Sequence, residues 1–177
     1  MPEPPPLAKQ VRPLPQRSGA SCASTTEVYA ELHCKTNFSF LEGASHPDEL
    51  VQRASELGYA ALAITDRNTL AGVVRAHVAA NAVGLKLLIG AEITPQDGPP
   101  VALWAMHRAG YGRLSKLITL GRRRAPKGEC WLTWSDVLDH AAGLLAGVLV
   151  PQAESHSESL RQQLAQFRDA FADRSHL

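Results

Sequence analysis

Residues 60–93 read AALAITDRNTLAGVVRAHVAANAVGLKLLIGAEI, and the order of patterns inside this stretch decides the fold. Its two ends, Ala60–Thr65 and Lys86–Ile93, are short apolar runs of the length of buried strands. Between them, Thr69 to Val83 places Leu70, Val73, Val74, His77 and Val78 on one helical face, with Gly84 as its stop. Strand, helix, strand is the pattern of two parallel strands joined by a covering helix.

The same alternation continues on both sides. Upstream, Glu27 to Leu32 reads as a strand. Ser45 or His46 caps a helix that has Pro47 in its first turn, Asp48 and Glu49 at its positive end, and Gly58 as its stop. Downstream, the turn-rich TPQDGPP leads to a fourth strand at Val101–Met106. A helix follows from Tyr111 to Arg123, with Leu114, Leu117, Ile118 and Leu120 inward. Thr133, with Asp136 three residues on, opens another helix; Leu144–Val150 is a further apolar run, and Ser157–Ala172 has Leu160, Leu164, Phe167 and Phe171 at helical spacing. The expected architecture is an α/β sheet or barrel of parallel strands with covering helices. Residues 1–25, rich in proline and small polar residues without periodicity, read as a disordered tail whose PPP and PLP pieces suit polyproline II.

Bulk composition narrows the function classes. The 177 residues are 45% apolar and 20% charged, which fits one globular domain. Eighteen basic against 17 acidic residues give a net charge of +1, so any polyanionic partner must be met locally. Three cysteines, Cys22, Cys34 and Cys130, form no CxxC pair, which argues against a disulfide scaffold or zinc ribbon and fits a reducing cytoplasm. No run reaches the roughly 18 apolar residues of a membrane span, and no secretory signal opens the chain.

In α/β folds, functional side chains project from the carboxyl ends of the strands. That rule selects His33 with Lys35, Asp66 with Arg67, and Glu92: one imidazole and two carboxylates on one rim, which is ligand chemistry for zinc, manganese or iron. Read without further context, His33 is an ordinary strand-end histidine and Asp66 a cap for the helix that follows. The other histidines show no ligand pairing, and Cys34 reads as a small buried hydrophobe. Arg122, Arg123, Arg124 and Lys127 form a basic cluster near Trp131 and Trp134, suited to phosphate or an interdomain contact, or else to a solvated helix end favoured by the dipole.

Four segments, LHCKTNFSFLEGASHPDELVQRASELGYAALAITD, LAGVVRAHVAA, GLKLLIGAE and GYGRLSKLITLGRRRAPKGE, resemble in one order the amino-terminal PHP (polymerase and histidinol phosphatase) domain of bacterial C-family DNA polymerases. The resemblance is strongest to the error-prone branch, relatives of the polymerase III alpha subunit, and covers Tyr29 to the carboxyl terminus. It implies an incomplete TIM-like α/β barrel, with residues 26–177 as a partial PHP domain and the polymerase domains absent. In that family the histidines of an HxH, the acid and histidine of a TDH, and the glutamate of a GxE bind two or three divalent metals. By position, His33, Asp66 and Glu92 retain ligand chemistry, whereas Lys35 and Arg67 replace ligands by cations.

The resemblance implies a structural segment of a nucleotidyltransferase that acts in translesion synthesis, DNA repair and damage-induced mutagenesis. No cofactor is expected for this chain beyond zinc or manganese at a remnant site, with magnesium belonging to the intact polymerase. The implied partners are the remaining polymerase domains or a separately encoded polymerase portion, DNA, the sliding clamp and mutagenesis accessory proteins, with no membrane. Lys35 and Arg67 are expected to salt-bridge Asp66 and Glu92, and the shortened sheet to leave an apolar edge. Two alternatives stand beside this: a small metal-dependent PHP-type phosphoesterase, and a fragment without a stable fold.

Overall fold

The computed structural model describes residues 29–149 and 158–176. The proline-rich tail over residues 1–25, with Cys22, lies outside the described residues, as do residues 27–28 of the first expected strand. Six strands form one sheet in the order β1 (Ala30–Cys34), β2 (Ala61–Ile64), β3 (Lys86–Ile93), β4 (Val101–Ala105), β5 (Leu144–Val148) and β6 (Ser175–His176). Helices α1 (Pro47–Glu56) and α2 (Val73–Val83) join β1 to β2 and β2 to β3. Then α3 (Arg108–Arg124) and α4 (Trp134–Asp139) lie between β4 and β5, and α5 (Glu158–Phe171) precedes β6.

The strands expected to be parallel are so at both ends of the sheet, where β1, β2 and β3 run together and β5 pairs parallel with β6. The exception is β4, antiparallel to both neighbours. Its link to β3, residues 94–100, is shorter than the dozen or so residues that a parallel crossover requires.

Local signals explain the element ends. The backbone N–H of His46 donates to Glu49 Oε2 at 2.8 Å, closing the first turn of α1, and Gly84 ends α2 in the left-handed region at φ 71°. Thr133 caps α4, its hydroxyl accepting from the Asp136 N–H at 3.3 Å while the Asp136 carboxylate accepts from the Thr133 N–H at 2.9 Å. His107, one of the histidines without a ligand pairing, caps α3 by accepting from the Gly110 N–H at 3.2 Å.

Two apolar clusters fill the structure. The larger is formed by β3, β4 and β5 with α3, α4 and α5, around Leu103, Leu114, Leu117, Val137 and Phe167; the smaller joins Leu62 and Ile64 of β2 to Val51, Ala54, Ala76 and Ala80 of α1 and α2. The face expected to turn inward on α2 holds at Val73, which is buried, and is corrected at Val74 and Val78, 70% and 65% exposed, while Ala76 and Ala80 are buried instead. Small alanines let α2 approach α1 and the sheet closely, so packing selected the narrower side of the helix. Leu120 is half-buried.

Gly90 lets β3 and β4 approach closely. A Cβ there would lie 2.5 Å from the Leu103 carbonyl oxygen and 2.9 Å from Trp104 Cδ1. In that space the Trp104 indole reaches from β4 to β1 and donates to the Leu32 carbonyl at 2.8 Å. On the other side, Phe167 lies 5.7 Å from the Trp134 ring and 4.6 Å from the Phe171 ring, fastening α5 to the larger core. Phe167→Ala is expected to destabilise the protein by about 3–5 kcal/mol, read as a lowered midpoint in thermal or urea unfolding.

Candidate functional site

The carboxyl ends of β1, β2 and β3 meet at one rim, and the backbone brings their side chains together before any ionic contact is counted. The Glu92 N–H donates to the Asp66 carbonyl at 3.1 Å, the Asn68 N–H donates to the Glu92 carbonyl at 2.7 Å, and Arg67 and Glu92 form an isolated parallel bridge. Asn68 at φ 51° turns the chain there, and its side chain clasps Thr94 by two hydrogen bonds. The end of β2 is thereby locked to β3.

Glu92 is 6% exposed, and its carboxylate receives one donor from β1 and one from the residue just past it. His33 Nε2 lies 2.8 Å from Oε2, and Lys35 Nζ lies 2.9 Å from Oε2 and 3.1 Å from Oε1. Burial opposes the charge of Glu92, but the hydrogen bonds and positive charge from His33 and Lys35 outweigh it and hold the carboxyl below the usual glutamate range. Burial likewise opposes the charge of Lys35, and Glu42 and Glu92 together outweigh it, raising its pKa. Lys35 also pairs with Glu42, and Arg67 pairs with the other oxygen of Glu42.

Charges therefore alternate in a line: Glu92, Lys35, Glu42, Arg67. The expectation that Arg67 would bridge Asp66 or Glu92 is corrected, since its guanidinium turns to Glu42. Sequence reasoning missed Glu42, which lies in the loop after β1, seven residues beyond Lys35. Its only signal was being the one acidic residue between Lys35 and His46.

Asp66, 1% exposed, has no cationic partner at all among the described residues and is not a cap of α2, whose N-cap is Gly72. Its carboxylate accepts from the Thr36 N–H at 2.7 Å, the Thr36 hydroxyl at 2.8 Å and the Ser39 hydroxyl at 2.7 Å. Ser39 in turn accepts from the Arg67 N–H at 3.0 Å. A buried carboxylate is thus satisfied by short local donors of the loop that follows β1.

These residues do not fit a divalent metal. Both oxygens of Glu92 face N–H donors, both of Asp66 are committed to hydroxyl and amide donors, and an ammonium stands on the rim where a lone pair would be needed. Among the described residues no three His, Cys, Asp or Glu side chains are grouped as ligands of one ion. Cys34, half-buried beside the rim, has its thiol pushed up to about 11, first by burial and then by the charges of Glu31 and Asp66, which leaves it unreactive.

The basic cluster divides. Arg122 donates to the carbonyls of Gly128, Glu129 and Asn68 at 2.9, 3.3 and 3.0 Å, tying α3 to the β2 end; Arg124 pairs with Asp136 at 2.6 Å; Arg123 and Lys127 are exposed. Trp131 is 41% exposed whereas Trp134 is buried.

The PHP domain family matches residues 31–175, a span that includes every rim residue described above. The chain belongs to the PHP domain family. Its PHP segment is similar to error-prone DNA polymerases: 50% identical over 157 residues to that of Rhodopirellula baltica, covering 84% of this chain and 14% of that protein, and 51% over 136 residues to that of Methylococcus capsulatus, covering 77% and 13%. The chain thus spans about one seventh of these relatives. Solved structures of similar fold include a putative metal-dependent phosphoesterase from Bifidobacterium adolescentis, with a TM-score of 0.59 at 18% identity over 79% of this chain and 75% of that one. An amidohydrolase from Chromobacterium violaceum gives 0.60 at 18% over 84% and 76%. At that identity the likeness is one of fold.

The ion line makes a signed prediction for pH. Glu92 has a folded pKa below its unfolded value, so its contribution is complete above about pH 4.3 and is lost as pH falls through the folded value. Lys35 has a folded pKa above its unfolded value, so its contribution is complete below about pH 10.4 and is lost as pH rises through the folded value. Melting temperature measured against pH is expected to fall on both flanks, and Glu92→Gln to flatten the acid flank.

Proposed function

We propose that this chain is the PHP scaffold of an error-prone DNA polymerase, acting in translesion synthesis and damage-induced mutagenesis, with a former metal site held together by its own cations. The single observation that carries this reading is the Lys35 ammonium on the nearly buried Glu92 carboxylate. In the family resemblance, Lys35 and Arg67 occupy positions of metal-binding histidines, and His33, Asp66 and Glu92 are the remnant. A fixed ammonium performs the neutralising part of a metal's role. It offers no Lewis acidity and activates no water.

The similarity to polymerases about six times as long supports a role inside, or beside, a larger polymerase. In that reading the remaining polymerase domains are the direct partner, encoded in the same chain or separately. DNA, the sliding clamp and the mutagenesis accessory proteins are engaged through the intact enzyme, whose magnesium belongs to its own catalytic domain. This reading puts the protein in the cytoplasm with the polymerase it would serve. Among the described residues no helix is long and apolar enough to cross a membrane.

Calorimetric titration with manganese and zinc is expected to show no micromolar site, and hydrolysis of an aryl phosphate to show no metal-dependent turnover. Manganese-dependent turnover that disappears in Glu92→Gln would establish the phosphoesterase alternative instead. Lys35→Met, which leaves Glu92 with His33 alone, is expected to cost about 2 kcal/mol in urea unfolding.

A further inference from the structure

The chain is nearly neutral as a whole, with a net charge of +1, yet no Asp or Glu occurs between Asp97 and Glu129. Within that interval α3 carries Arg108, Arg113, Lys116 and the run Arg122–Arg124 over its 17 residues, and Lys127 follows three residues beyond the helix. Its inner face is spent on the core through Leu114, Leu117 and Ile118. Arg108, Lys116, Arg123 and Lys127 are all exposed, and among the described residues none has a carboxylate partner. Lys116 and Arg123 border a shallow depression of about 400 Å³ floored by Thr119 and Leu120.

Helix-end electrostatics do not account for this distribution. The negative end of the helix favours Arg122, Arg123 and Arg124. Arg108 is the first residue of α3, where the exposed N–H groups disfavour a cation, and Arg113 and Lys116, three residues apart, repel one another. A solvated helix ordinarily intersperses acids among its bases; this one has none. Three of its cations already have structural work, Arg122 on three carbonyls, Arg113 on the Ala142 carbonyl at 2.9 Å and Arg124 on the Asp136 carboxylate at 2.6 Å. The remaining exposed ones have no such work.

On the helical wheel Arg108, Lys116 and Arg123 fall within one quarter-turn, opposite the buried leucines, and Lys127 follows in the turn after the helix. From Arg108 to Arg123 the helix rises about 22 Å, a span that crosses several successive phosphates of a nucleic-acid strand. We propose that the outer face of α3 is a binding surface for the phosphate backbone of nucleic acid, with Arg108, Lys116, Arg123 and Lys127 as its contacts. The choice of nucleic acid among polyanions rests on the polymerase reading above; the metal titration tests that reading separately. The surface reads charge before base sequence, because Thr119, the hydroxyl between Lys116 and Arg123, already donates to the Ser115 carbonyl at 2.7 Å.

The test is fluorescence anisotropy of the full chain with a labelled duplex and a labelled single strand of the same mixed sequence, from about 50 to 200 mM salt. Binding is expected, with the logarithm of the duplex constant falling against the logarithm of salt with a slope of about −3 to −4 for four phosphate contacts. The charge-reversing pair K116E/R123E is expected to weaken binding at least about tenfold and to flatten the slope by about 2, with an unchanged melting temperature. The same charge change on α5, in R161E/R168E, is expected to leave affinity within about twofold. Binding of either strand form that follows this pattern supports the surface, and the ratio of the two says which form it prefers. Absence of binding at the lowest salt, retention of binding in K116E/R123E, or an equal loss in both pairs overturns it, as does capture by anionic vesicles with no oligonucleotide bound. Should K116E/R123E fail to fold, R108A/K127A gives the same reading with milder changes.

Discussion

A carboxylate carried on β3 with 6% of its surface exposed sets the terms for the whole rim. Removing such an ion from water costs several kcal/mol unless charge and hydrogen bonds replace the solvent, and Glu92 recovers this from His33 and Lys35 at the end of β1. Lys35 is itself largely withdrawn from water and is shared with Glu42, which is shared with Arg67. Two acids and two permanent cations alternate, so the line is close to neutral, and each ion is bounded by opposite charge. The line runs from β3 to β1, out through the loop and back to the end of β2. Three strand ends and one loop therefore depend on a single compensated carboxylate.

Asp66 solves the same problem by another route. Its donors, Thr36 and Ser39, come from the loop that also carries Glu42, so this loop must be folded for either carboxylate to be satisfied. The consequence is mutual. The loop is ordered by two acids, and the two acids are tolerated because the loop is ordered. A rim built this way favours a fixed shape over chemistry, since each oxygen that could accept a metal or a proton in a reaction already has a donor.

Much of the fold was legible because strands of this kind announce themselves: Lys86–Ile93 is a strand from end to end as its apolar run implied, and Thr133 with Asp136 marked the start of α4. The buried side of α2 was not legible, because two adjacent faces of that helix are both apolar and only packing against α1 decides between valine and alanine. The reversal of β4 could have been read from its seven-residue link, too short for a crossover. At the site, strand-end positions placed His33, Lys35, Asp66 and Glu92 on one rim. They could not orient Arg67, whose long side chain reaches several carboxylates from one Cα, nor nominate Glu42, whose loop has no periodicity to place it.

Whole-chain charge concealed the other feature of the molecule. A net charge of +1 is an average over a rim where acids and bases cancel and a helix where bases stand alone. The two regions are mechanically joined, for Arg122 of α3 donates to the carbonyl of Asn68, two residues beyond Asp66, while Leu114 and Leu117 seat the same helix in the larger core. A basic face mounted in that way cannot swing independently of the strand ends. Its cations are held in a fixed array relative to the sheet, which lowers the ordering entropy that a flexible basic segment would lose on meeting a polyanion. On the scaffold reading proposed above, rigidity at the rim and charge on the helix serve one purpose: a platform that holds position, with the ion line as the clamp and α3 as the surface presented.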